Sequence, residues 1–174
     1  RPRPALLSGI EGPPAGPVTS ITRLNDVMYA AEYRLGVKLF SRNSNDPDFS
    51  ILVHQRTDTG DLLVPDIKNR ISSLAAHNKK VWIGCFTAGR GGSAGHDRSN
   101  GGVAWLDEKM ASRAYFEEQG LPTNSVTSLV SHRDMLVAGT NDFRADGGMA
   151  IYDASSDQWI SIGGFRVLRQ AALP

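Results

Sequence analysis

Side chains able to do chemistry concentrate in two glycine-containing stretches, "CFTAGRGGSAGHDRSNG" (85–101) and "TNDFRADG" (140–147). Between them they carry Arg90, His96, Asp97, Arg98, Asn141, Asp142, Arg144 and Asp146. Guanidinium, imidazole, carboxylate and amide groups on adaptable backbone suit hydrogen-bonded contact with a ligand or a partner protein. Sharper chemistry needs more than these stretches hold. "GRGGSAG" (89–95) is followed by no Gly-Lys-Ser/Thr and has no strand-to-helix setting, so it is not a phosphate loop. His96 and Asp97 lack further ligands at metal-binding spacing. "DFRADGG" (142–148) is acidic but lacks the bidentate Glu of a calcium loop. "GGSAG" does not match a nucleophile elbow, and no carboxylate pair stands out as an acid/base couple. The expectation is a contact surface with no metal, no cofactor and no assigned catalytic residue, leaning away from an enzyme.

Other reactive residues read as structural. Cys85, the one cysteine, lies in an apolar run and is expected to be a buried thiol. Asp107 and Asp153 end apolar runs and are natural turn initiators. His77 and His132 fall at equivalent places in a repeat, which argues for a structural role.

That repeat positions everything else. "NRISSLAAHNKKVWIG" (69–84) and "NSVTSLVSHRDMLVAG" (124–139) are near twins, and "PVTSITRLNDVMYAA" (17–31) is a looser copy. The anchors Val18, Ile71 and Val126 fall at nearly equal steps along the chain. Each copy continues into a second apolar run (28–31, 81–84, 136–139), a third (36–40, 102–106, 148–152) and a fourth (49–53, 114–116, 159–162). The runs are short, β-branched or aromatic, and bounded by Gly, Asn, Asp or Ser, the pattern of strands joined by tight turns. No stretch sustains a helical period. Residues 108–119 come nearest and are read as a turn and a strand.

Four antiparallel strands repeated every ~40–50 residues describe the blade of a β-propeller. The predicted fold is all-β, with about three four-stranded antiparallel blades at 17–56, 69–118 and 124–163. Residues 1–16 and 164–174 would contribute to adjoining blades. Gly84 and Gly139 are expected to admit a neighbouring blade or seat a bulge, with Ala31 in their place in the first copy. Trp82, Trp105, Tyr152 and Trp159 are expected to pack between blades. The Ser20, Ser73 and Ser128 hydroxyls are read as bonding locally. The loop between second and third strands grows from 32–35 in the first copy to 85–101 in the second, with 140–147 between. With the connection 55–69 these loops share one end of the blades, where insertions mark a binding face.

"LPTNSVTSLVSHRDMLVAGT" with "GGMAIYD" (121–153) resembles the propeller repeat in sensor regions of hybrid two-component regulators, and "VWIGC" with "GGVAWLD" (81–107) is similar to it. "GGMAIYDASSDQWISI" (147–162) also resembles a kelch repeat. The resemblance implies a propeller that recognises a protein or small-molecule ligand. The leading expectation is a non-catalytic interaction or recognition segment of a larger protein or assembly. The alternatives are an extracytoplasmic sensor of an oligosaccharide or other small ligand, and a portion of a carbohydrate-active hydrolase or lyase.

Composition narrows the classes. With 19 Lys+Arg against 18 Asp+Glu the chain is near neutral, and no basic run points to nucleic acid. No apolar run approaches the ~20 residues of a helical membrane span, and no signal-peptide pattern is present. The compartment stays open. A ring needs typically 4–8 blades, so three are expected to be an incomplete arc. Its missing blades would come from the same chain, from another chain, or from a second copy making six.

Overall fold

Asn78 and Lys79 both take left-handed backbone, φ 48° and 59°, and turn the chain through two residues. That is the geometry that joins twisted antiparallel strands. Asn25 and Arg133 open the equivalent turns, also at positive φ. Between such turns the β-branched and aromatic runs form strands, whose side chains alternate between two faces. The computed structural model describes residues 17–32, 37–43, 50–55, 70–86, 101–109, 111–141 and 147–164.

Among the described residues twelve strands form three four-stranded sheets, each an antiparallel meander of consecutive strands. The first sheet holds β1 (Val18–Leu24), β2 (Val27–Glu32), β3 (Val37–Asn43) and β4 (Ser50–Gln55). The second holds β5 (Arg70–His77), β6 (Lys80–Phe86), β7 (Gly102–Asp107) and β8 (Ser112–Tyr115). The third holds β9 (Val126–His132), β10 (Met135–Thr140), β11 (Gly148–Asp153) and β12 (Gln158–Gly164). Each sheet takes its strands from one copy of the repeat. Residues 108–119 form a turn and β8, as read from the sequence, and add a 3-10 turn at Glu117–Gln119. No helix among the described residues is long and apolar enough to cross a membrane.

The sheets pack side by side through their first strands, β1 against β5 and β5 against β9. Two apolar cores fill the gaps. Between the first and second sheets, Ala31, Leu24 and Tyr29 meet Ile71, Leu74, Val81, Ile83, Cys85 and Leu106. Between the second and third, Trp82, Val103 and Tyr115 meet Val126, Leu129, Leu136, Ala150 and Trp159. Trp82 is fully buried and stacks on Tyr115, centroids 5.8 Å apart; Trp159 meets it edge-on at 5.9 Å and Tyr152 tilts against it at 4.6 Å. Such rings bring large apolar area and a further attraction from edge-to-face geometry. Trp82 and Trp159 are thus inter-sheet core, while Trp105 and Tyr152 sit half-buried at its margin.

Ser20 and Ser73 depart from the sequence reading, because they bond across sheets, while Ser128 is exposed. Ser20 Oγ accepts from the backbone N–H of Leu74 at 2.9 Å, and Ser73 Oγ from that of Leu129 at 2.9 Å. The hydroxyl just before each also reaches over. Thr19 donates to Ile71 O at 3.0 Å, and Ser72 to Val126 O at 2.6 Å. A first strand beside another first strand has unpaired backbone groups on the facing side, and these need partners once buried. The paired hydroxyls supply them. Gly84 makes room for the contact: a Cβ there would lie 2.9 Å from Val126 Cγ1.

Candidate functional site

The cross-sheet bonds run in one direction, Ser72 to Val126, Ser73 to Leu129 and His77 to Ser131. β5 and β9 therefore lie parallel, and corresponding ends of the two sheets coincide. Strand register completes the picture. Cys85 pairs with Gly102 and Ile71, and Thr140 pairs with Gly148 and Val126. The connections 87–100 and 141–147 thus leave from the same end, the end at which the chain enters β9.

The described part of that end is polar and tied down. Thr123, Asn124 and Ser125 are buried despite their polar side chains. Asn124 Oδ1 accepts from the N–H of Glu117 at 2.8 Å, and the Asn124 N–H donates to Glu117 Oε1 at 3.2 Å. The Asn141 N–H donates to Ser125 O at 2.8 Å, and Thr140 Oγ1 spans the mouth of its hairpin by bonding both N–H and O of Gly148. Gly102 opens β7 at φ 115°, where a Cβ would lie 2.6 Å from Tyr115 O. This is a braced rim from which the two loops depart. Of the sequence-predicted contact residues, Asn141 stands exposed on this rim. Arg90, His96, Asp97, Arg98, Asp142, Arg144 and Asp146 lie outside the described residues, as does the connection 56–69.

A second cluster was not anticipated. Asp157, in the turn between β11 and β12, accepts at Oδ1 from the phenols of Tyr115 and Tyr152, both at 2.6 Å. Its Oδ2 pairs with Arg113. The Trp105 indole N–H donates to the Tyr115 hydroxyl at 3.0 Å, and Lys80 Nζ lies 3.8 Å from the Trp105 ring centroid. Burial works to raise the Asp157 carboxyl, but the two phenol hydrogen bonds and the charges of Arg113 and Lys80 outweigh it and hold it below the ordinary range. Burial and then the hydrogen bond to Asp157 push both phenols up. At neutral pH the carboxylate stays ionised and the phenols stay protonated. The arrangement is a clamp across the second and third sheets, with no group poised to exchange a proton. Asp157 takes φ 55°, a conformation Asp tolerates better than most residues. That turn position is the one local signal; Tyr115, 42 residues away, gives none.

The remaining sequence candidates fall into structural places. His77 is buried, its Nδ1 lying 3.0 Å from Ser131 Oγ across the sheets. Burial lowers its pKa, and Asp134 opposes this in part. His132 is exposed at the end of β9. Asp107 Oδ1 accepts from the N–H groups of Lys109 and Ala111. Asp153 accepts from Ser155 and Ser156, and these bonds hold its carboxyl below the usual range. Cys85 is fully buried, which pushes its thiol far up. Among the described residues no group of three or more His, Cys, Asp or Glu is placed to hold a metal ion.

Compared with protein-family models and with curated proteins, the chain matches none.

Proposed function

We propose that the chain is an arc of a β-propeller and that it works as a recognition module, binding a protein or small-molecule ligand through the loops 87–100 and 141–147. One observation carries the reading: successive four-stranded meanders lie side by side on parallel first strands, and the two polar loops leave from one shared, braced end. Rigid scaffolds that position adaptable loops are the usual setting for binding.

The test replaces residues 88–100 by a short Gly-Ser turn and screens both proteins on immobilised oligosaccharides and peptides. The turn variant should keep the thermal midpoint within a few degrees and lose the binding that the parent chain shows. Equal binding by the variant would refute the loop assignment. Turnover of an oligosaccharide by the parent chain would replace the recognition reading with a carbohydrate-active enzyme.

A further inference from the structure

The three sheets share one packing scheme, and among the described residues apolar side chains on the first and third sheets stand exposed. Ile71 and Leu74 of β5 are 0% and 6% exposed, and Val126 and Leu129 of β9 are likewise 0% and 6% exposed, each pair covered by the preceding sheet. Val18 and Ile21 hold the same places in β1, yet are 43% and 59% exposed. The opposite face of the third sheet is bare too, with Val130, Met149 and Ile160 each more than half exposed. Among the described residues every exposed large apolar side chain belongs to the first or third sheet and none to the middle one. Uncovered apolar faces of this kind mark interaction surfaces.

The two faces match each other. Where the second sheet receives the third, it offers Ser72, Ser73 and Gly84 to a strand bearing Val126 and Leu129. The third sheet offers Thr127, Ser128 and Gly139 at the equivalent places, with both hydroxyl residues exposed. Thr127 already donates to Gly139 O at 3.2 Å, as Ser72 does to Gly84 O at 3.0 Å and Thr19 to Ala31 O at 3.4 Å. In the two earlier sheets the same hydroxyl also bonds the anchor carbonyl of the next sheet. A strand that fits must carry an apolar anchor with a free carbonyl, and an apolar residue with a free N–H three places on. β1 carries Val18 and Ile21 at the places that Val126 and Leu129 hold in β9.

We propose that a second copy of this chain docks head to tail, with its β1 laid along β9 of the first, and that two copies close a ring of six sheets. Val18 O would receive Thr127, the Ile21 N–H would donate to Ser128, and Val18 and Ile21 would seat over Gly139. The contact continues the interface already formed twice within the chain. A head-to-tail contact either closes or propagates, and six sheets fall within the 4–8 of closed rings. The docking rests on the inter-sheet geometry, and only closure at two copies rests on the propeller reading.

Sedimentation velocity over a concentration series of the full chain tests this without reference to any ligand. The chain should sediment as a dimer. Ile21→Glu and Ser128→Arg alter exposed residues, so each should fold, checked by an unchanged far-ultraviolet spectrum. Each should weaken association by about tenfold or more, because a charge is buried without a partner. Mixing the two variants should restore the dimer, since one interface is then unaltered and the other sets Glu against Arg. A monomer at all concentrations would overturn the proposal. A dimer indifferent to both substitutions, or open polymers in place of dimers, would overturn it as well.

Discussion

The hydroxyl of Ser73 accepts a hydrogen bond from the backbone N–H of Leu129, 2.9 Å away and 56 residues along the chain. Ser20 does the same for Leu74, 54 residues on. These bonds explain why Thr/Ser-Ser follows each anchor. The first strand of each sheet has a neighbouring sheet beside it in place of a fifth strand, and its outward backbone groups must still be satisfied. Two small hydroxyls do this without holding the sheets apart.

Close approach depends on Gly84. A Cβ at that position would lie 2.9 Å from Val126 Cγ1 and 3.3 Å from Leu129 Cγ. Gly84→Val therefore forces the second and third sheets apart and should cost about 1–3 kcal/mol, the usual range for overpacking. Urea unfolding of the parent and the variant measures the difference. A variant as stable as the parent would contradict the packing described.

The Asp157 clamp makes stability depend on acid. Burial favours the neutral carboxyl, but the phenols of Tyr115 and Tyr152 and the charge of Arg113 overcome it, so the folded pKa lies below the ordinary value. The contribution is complete above the unfolded value of about 3.9. It is lost as pH falls through the folded value, where the unfolded chain already binds the proton. Asp157→Asn should flatten the acid limb of a stability–pH curve obtained from denaturant midpoints. An acid limb unchanged by the substitution would show that the clamp does not hold.

Cys85 has no exposed surface and a thiol pushed up by burial. Thiolate is the reacting form, so the native chain should not react with a disulfide reagent. Reaction should appear only on unfolding, at the rate of global opening. Rapid labelling under native conditions, read by absorbance, would contradict the buried second strand.

Much of this architecture was legible in the residues. Strand and turn positions follow from local chemistry: β-branched runs, Asn at left-handed turns, Asp at turn starts. The role of Gly84 follows from its place in the repeat. Two features were not legible. Ser20 and Ser73 look like local hydroxyls until a neighbouring sheet is placed beside them. Tyr115 and Asp157 belong to different copies of the repeat, and their meeting depends on how the sheets sit together, which no local pattern encodes. The loop residues from Arg90 to Arg98 were singled out by their types and by the growth of their loop within the repeat, and they lie outside the described residues.

Native-state hydrogen exchange at the amides of Leu74 and Leu129 tests most directly whether the sheets are joined along parallel first strands. Both amides should be protected in the parent chain. Ser20→Ala should release Leu74 alone and Ser73→Ala should release Leu129 alone, each with a stability loss of about 1 kcal/mol for the lost bond. Fast exchange at both amides in the parent chain, or protection that neither substitution alters, would contradict the arrangement.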